Sequence, residues 1–150
     1  MAYGQTSSGK TFTLMGNDEK PGIIPRFVDD LFSLTEYLSE STFSVQCSFF
    51  EIYNESIYDL LNVPIFNHQA EKTNLNLRED PKKGVFVDGL TQEIVSSDIE
   101  LMSFFMKGAS IRTTAETRMN ERSSRSHAIF SVIIEHDYIP NVEASNAVPK

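Results

Sequence analysis

The sequence predicts a layered α/β fold, a central β-sheet flanked by helices, from three observations. Phe43, Val45, Cys47 and Phe49 alternate with Ser44, Gln46 and Ser48, the period of a strand with one buried face. Val28, Leu31, Phe32 and Leu38 recur at near-helical spacing opposite Asp29, Asp30 and Glu36, which describes an amphipathic helix lying on something flat. Strand-like and helix-like stretches interleave along the chain, as they do where helices cover a sheet.

Taken in order, Asn17-Asp18-Glu19-Lys20-Pro21-Gly22 is polar and ends in a Pro-Gly turn signal, so it forms a surface loop. Pro25 suits the first turn of the helix that follows, where its missing N–H costs nothing. The strand from Phe43 continues through Phe50 and Ile52. Ile57, Leu60 and Leu61 suggest a short helix or turn, and residues 62–74 a loop. Leu75 with Leu77, then Val85-Phe86-Val87, then Ile94-Val95 read as short strands, the first two separated by a charged turn over residues 78–84. Ser97-Asp98-Ile99-Glu100 is a capping box that opens a helix, with Ile99, Met102, Phe105, Met106 and Ala109 as its apolar stripe. Residues 110–127 are almost wholly polar, residues 129–134 return to strand character, and residues 140–150 have no period, so they are expected to be a loop or disordered tail.

Composition excludes several classes. The chain has 150 residues, long enough for one domain with a core, and its 13 basic against 21 acidic residues give a net charge of −8. A hydrophobic share of 40% with eleven phenylalanines argues against a disordered chain. No apolar run approaches the roughly 18–20 residues that span a bilayer, so membrane insertion is not expected. Met1-Ala2-Tyr3-Gly4-Gln5 lacks the layout of a signal peptide. Cys47 stands alone, and His68, His127 and His136 lie too far apart to build a zinc site. The acidic balance argues against nucleic acid as a partner, because neutralising phosphates needs a basic surface. Asn54-Glu55-Ser56 fits the glycosylation pattern, which carries no meaning in the intracellular chain this composition suggests.

Two dense motifs carry the chemistry. Gly4-Gln5-Thr6-Ser7-Ser8-Gly9-Lys10-Thr11 has the P-loop spacing, glycine, four residues, then glycine-lysine-threonine. Gly4 and Gly9 let the backbone wrap closely around phosphates so that its N–H groups point inward as an anion nest. Lys10 adds a mobile positive charge, Thr11 a hydroxyl for Mg²⁺, and the helix beginning here aims its positive end at the nucleotide. Asn120-Glu121-Arg122-Ser123-Ser124-Arg125-Ser126-His127 is the second motif. Alone it reads as a solvated loop; its functional reading is a phosphate-sensing loop, with hydroxyls to order water and Mg²⁺ and arginine to pair a carboxylate or phosphate.

Together the two motifs resemble the kinesin motor domain. Residues 2–11 are similar to the kinesin P-loop, and residues 120–127 resemble its switch I signature, asparagine, two variable residues, then Ser-Ser-Arg-Ser-His. Between them, Phe50-Glu51-Ile52-Tyr53-Asn54-Glu55 and Ile57-Tyr58-Asp59-Leu60-Leu61 resemble the family's strand and the segment after it, and Gly22-Ile23-Ile24-Pro25-Arg26 the restart of its second helix. The four matches keep the family's order over about residues 2–135. The resemblance implies a P-loop NTPase-type fold with a central mixed sheet, and an ATP-hydrolysing motor that moves along microtubules in the cytoplasm and cytoskeleton.

The resemblance also assigns roles. Gly4, Gln5, Thr6, Ser7, Ser8, Gly9, Lys10 and Thr11 would hold the phosphates of ATP, with Thr11 and Ser123 at Mg²⁺. Phe12 would lie against adenine, or else serve plain core packing. Ser123 and Ser124 would close on the γ-phosphate, Asn120 would place the attacking water, and Arg125 would latch to a glutamate of switch II. Residues 17–22 would be a short version of the loop that interrupts the second helix.

The sequence departs from the family in what it lacks. Nothing after Ile134 resembles the switch II motif, and only Met1, Ala2 and Tyr3 precede the P-loop, where a strand is expected. The chain therefore reads as a central segment of a motor domain, and homodimerisation would use segments not present. Its one compact basic turn, Arg78, Lys82 and Lys83, is either a filament-facing loop or a solvated hairpin turn. The competing functional reading is a non-catalytic kinesin-like module that binds a nucleotide or partner without turnover.

Overall fold

The computed structural model describes residues 1–5, 8–38, 42–62, 74–82, 84–118 and 126–137, with the backbone alone over 113–118. Strand β1 (Thr42–Tyr53) is the axis of the sheet. Strand β6 (Ser126–Asp137) runs antiparallel to it along its whole length, from Thr42 opposite Asp137 to Tyr53 opposite Ser126. The other edge of β1 is shared: β5 (Glu93–Val95) pairs with residues 45–47, and β2 (Ser56–Asp59) with residues 50–53. Outward from β2 come β3 (Asn74–Asp80) and β4 (Gly84–Asp88), themselves a hairpin. Every pairing among the described strands is antiparallel, so the parallel component of a mixed sheet is not among them.

The alternation read in β1 decides where the core lies. Val45, Cys47 and Phe49 are buried, and against them pack α2 (Ile23–Tyr37), through Val28 and Leu31, and α3 (Asp98–Arg118), through Leu101 and Phe105. Three aromatic rings form the centre. Phe49 stacks on Phe105 at 5.7 Å between centroids, and Phe130 of β6 meets both edge-on, at 5.3 and 5.1 Å. These are the offset and T-shaped geometries that ring quadrupoles favour. Gly108 of α3 lies directly over Phe49, where a Cβ would run into the ring.

Helix α3 starts as its capping box predicts. The Glu100 N–H donates to Ser97 Oγ (3.2 Å), and the Glu100 carboxylate reaches back, to the Ser96 N–H (2.8 Å) and hydroxyl (3.0 Å). Its buried face differs from the expected stripe. Ile99 and Met106 face solvent, whereas Leu101, Phe105 and Gly108 turn inward at i, i+4, i+7 spacing. The helix also continues through polar residues to Arg118.

Two other expectations are corrected. Residues 57–61 open with a strand, not a helix, because Asn54 (φ 50°) and Glu55 (φ 63°) make a two-residue turn with both centres left-handed. That geometry matches the twist of a hairpin and returns the chain along β1. Arg78, Glu79 and Asp80 belong to β3 rather than to a turn, so the bend shrinks to its tip, where the Lys82 N–H donates to Asp80 Oδ1 at 2.8 Å. The expected loop over 62–74 falls mostly outside the described residues, as does the stretch 140–150. No helix among the described residues is long and apolar enough to cross a membrane.

Asp59 is a structural carboxylate. Buried at the end of β2, it accepts the N–H groups of Leu61 (2.8 Å), Asn62 (3.2 Å) and Thr91 (2.8 Å). Asp59→Ala strips three backbone donors of their acceptor and is expected to cost about 3 kcal/mol, read from the denaturant midpoint. A midpoint within 0.5 kcal/mol of the unsubstituted protein (roughly the scatter of surface changes) would contradict this role.

Burial raises the Cys47 thiol to about 11, with the carboxylates of Glu93 and Glu100 adding to the rise. In the unfolded chain the thiol ionises near 9.0, so between these values the folded state holds the extra proton. Stability attributable to Cys47 is therefore complete below pH 9.0 and declines as pH rises through about 11. Cys47→Ser is expected to flatten that part of the alkaline stability profile, and an unchanged slope would refute the assignment.

Candidate functional site

Of the expected phosphate loop, Gly4, Gln5 and residues 8–11 are among the described residues. Gly4 (φ 152°) and Gly9 (φ 84°) both occupy positive φ, which side-chain-bearing residues avoid. At Gly9 nothing would obstruct a Cβ, so backbone conformation alone asks for glycine there. The Ser8 N–H donates to the Gln5 carbonyl (3.2 Å), closing a tight turn. Gly9 then serves as the N-cap residue of α1 (Lys10–Met15), its carbonyl accepting both the N–H (2.9 Å) and the hydroxyl (3.0 Å) of Thr13.

Lys10 bends back over this loop. Its ammonium donates to the Gly4 carbonyl at 2.7 Å and to the Gln5 carbonyl at 2.6 Å. Among the described residues no ion pair is recorded for that charge, and α1 has no acidic residue in its first turn. A cation held by two neutral acceptors at the rim of a glycine loop suits an anion that arrives from solution. Thr11 is exposed, and Phe12 is 54% exposed, so this chain's own core does not take the Phe12 ring. Thr6 and Ser7 lie outside the described residues.

After α1 the chain makes a tight return into α2. The Asn17 N–H donates to the Lys20 carbonyl (3.0 Å), and the Lys20 N–H to Asn17 Oδ1 (2.8 Å) and the Asn17 carbonyl (3.1 Å). The Gly22 N–H donates to the Met15 carbonyl (3.1 Å), and a Cβ on Gly22 would lie 2.5 Å from the Leu14 carbonyl. The expected surface loop over residues 17–22 is thus a knot that ties the two helices together and leaves the loop itself in solvent.

Of the second motif, Asn120, Ser123, Ser124 and Arg125 lie outside the described residues. Ser126 and His127 begin β6, opposite Tyr53 and Ile52. Beside them the structure adds a pair that pattern reading missed. Glu51 of β1 is completely buried, and its Oε1 lies 3.5 Å from Nε of Arg112 on α3. Arg112 Nη2 donates to Ser126 Oγ at 3.1 Å. A signal was present: Glu51 falls in phase with Val45, Cys47 and Phe49, which puts a carboxylate on the buried face.

The basic turn is less free than its sequence suggests. Arg78 pairs across the β3–β4 hairpin with Asp88 at 2.8 Å, and Lys83 lies outside the described residues. Lys82 is exposed at the tip, and Leu77 and Val85 are exposed along the arms.

Comparison with known proteins identifies the family. The family described as the kinesin motor domain matches residues 1–147. The kinesin-like protein KIF14 of Mus musculus is 47% identical over 135 residues, covering 89% of this chain and 8% of its own length. The kinesin-like protein KIN-7L of Oryza sativa subsp. japonica is 43% identical over 147 residues, covering 98% of this chain and 22% of its own. Among solved structures, a KIF14 dimer in a two-heads-bound state with AMP-PNP, in complex with a microtubule, superposes with a TM-score of 0.78 and 44% identity. It covers 95% of this chain and 39% of that one. The chain thus spans less than a quarter of the relatives it matches here. With a family match over residues 1–147 of its 150, the chain belongs to the kinesin motor-domain family.

Proposed function

We propose that this chain forms the nucleotide side of an ATP-driven microtubule motor. The observation that carries the reading is Lys10, whose ammonium is held by the Gly4 and Gln5 carbonyls over a loop with two positive-φ glycines. Residues 4–11 wrap the phosphates of ATP, Lys10 transfers from those carbonyls to the β- and γ-phosphates, and Phe12, already half in solvent, stacks on adenine. Thr11, exposed on the first turn of α1, offers the hard oxygen that Mg²⁺ prefers, with Ser123 as its second hydroxyl. Held there, Mg²⁺ would supply positive charge to offset the charge that develops on the phosphates. Ser123 and Ser124 meet the γ-phosphate, Asn120 orients the attacking water, and Arg125 latches the motif to a carboxylate. The chemistry asked of these residues is positioning and electrostatic stabilisation of an in-line attack.

The partner is the microtubule. Two matched structures are microtubule complexes, one with AMP-PNP and one with ADP, which favours a motor over a non-catalytic module. The β3–β4 hairpin offers a cationic tip at Lys82 with exposed Leu77 and Val85 beside it. An acidic filament would attract that tip in spite of the chain's net charge of −8. Association with filaments places the protein in the cytoplasm, on the cytoskeleton.

Steady-state MgATP hydrolysis by a complete motor domain carrying residues 1–150 tests the proposal. Turnover is expected to rise with added microtubules, whereas the 150 residues alone are expected to give little or none. Equal turnover with and without filaments would contradict the motor reading. Neutralising Lys82 and Lys83 together is expected to weaken filament affinity more at low salt than at high salt, since exposed charges are screened. An affinity unchanged at either salt would remove the hairpin from the interface.

A further inference from the structure

The pair Glu51–Arg112 stands at the junction of three elements. On β1, Glu51 follows Val45, Cys47 and Phe49 on the face turned toward α3, and it is entirely buried. On α3, Arg112 continues the inward series Leu101, Phe105 and Gly108, so the helix face that fills the core ends in a guanidinium. On β6, Ser126 and Ala128 lie on the same sheet face, because Ala128 is the cross-strand partner of Glu51. Arg112 spans all three, with Nε 3.5 Å from the Glu51 carboxylate and Nη2 bonded to Ser126 Oγ at 3.1 Å.

Such a device is poorly explained by stability alone. With the Glu51 side chain wholly buried and that of Arg112 28% exposed, the pair recovers little of the desolvation cost of the carboxylate, and apolar side chains of similar volume pack there about as well. A planar guanidinium with donors in a fixed fork instead fixes direction: held at one end by a buried carboxylate, it sets where the hydroxyl at its other end sits. Asp59, the other buried carboxylate among the described residues, has no such reach, since the bonds described above join it to backbone N–H groups. The hydroxyl held by Arg112 belongs to the motif's penultimate residue, where it enters β6.

We propose that Glu51 is a positioning residue for turnover: its carboxylate orients Arg112, which fixes Ser126 and with it the point at which the Asn120-to-His127 motif joins the sheet. The proposal rests on the reading of that motif given under the proposed function. Glu51 is fully buried and acts through Arg112.

The test uses a complete motor domain carrying residues 1–150 and reads kcat and KM for MgATP with microtubules. Glu51→Gln keeps the volume and removes the charge; it is expected to lower kcat about tenfold while KM stays within about twofold, because residues 4–11 are untouched. Glu51→Leu combined with Arg112→Met removes both charges, so it should fold even if the single variant does not, and it is expected to show the same loss. A double variant with unsubstituted kcat would overturn the role of Glu51, as would a folded Glu51→Gln whose KM alone changes. The unsubstituted domain is the control: no nucleotide turnover there overturns the proposed function instead.

Discussion

Lys10→Ala in a complete motor domain is expected to lower microtubule-stimulated turnover by at least about 100-fold, the scale on which losing one charged donor to a transition state is felt. Among the described residues the Lys10 ammonium bonds to the Gly4 and Gln5 carbonyls, both of which can turn to water when it leaves. Those bonds sit at an exposed rim, so folding stability should change by less than about 1 kcal/mol. The combination identifies the role: a large loss of turnover and nucleotide affinity at nearly constant melting temperature. Lys10→Arg keeps the charge but carries a bulkier, planar head, and is expected to restore only a small part of the activity. Full turnover in Lys10→Ala would remove the phosphate cradle from the mechanism.

Gly108→Ala is expected to have a large effect on folding, on the scale of Asp59→Ala. On an exposed helix this change adds stability, by about 0.8–1.0 kcal/mol. Here the added methyl would press into the Phe49 ring, which is itself locked between Phe105 and Phe130. The ring is buried between those two, so either α3 lifts from the sheet or Phe49 leaves its rotamer. Overpacking of this kind costs about 1–3 kcal/mol, to which the lifted contacts of Leu101 and the Glu51–Arg112 pair add. A net loss of about 3 kcal/mol is expected from denaturant unfolding. A stabilised Gly108→Ala protein would show that α3 is not seated as described, whereas Phe49→Leu should relieve part of the penalty by opening space for the methyl.

Much of the arrangement was legible in the sequence, for reasons that differ by element. β1 announced itself because alternation is a local signal and its buried face is in phase with it. The start of α3 was legible because a capping box is written in consecutive residues. Its inward face was not: Ile99 and Met106 are as apolar as Leu101 and Phe105, and only the position of Phe49 selects between them. β2 was mistaken for a helix or turn because Asn54-Glu55 lacks the glycine that usually signals a hairpin, although asparagine tolerates positive φ. The basic turn looked more cationic than it is, since the Arg78–Asp88 pair joins residues on two strands and no local pattern shows it.

For the candidate site, the positive φ of Gly4 and Gly9 was legible in the glycine spacing of residues 4–11, because each requirement there is local. Glu51, Arg112 and Ser126 became visible as a unit only through the register of β1 with β6 and the seating of α3. Long-range contacts of that kind leave only an indirect mark in a sequence, here a carboxylate in phase with a buried face.

The central claim is that nucleotide held at residues 4–11 controls a grip on microtubules. Co-sedimentation of a complete motor domain carrying residues 1–150 with microtubules, in AMP-PNP and then in ADP, tests it most directly. The protein is expected to pellet with filaments in AMP-PNP at concentrations where ADP releases it, and Lys10→Ala is expected to erase the difference. Equal binding in the two nucleotides by the unsubstituted protein would contradict it.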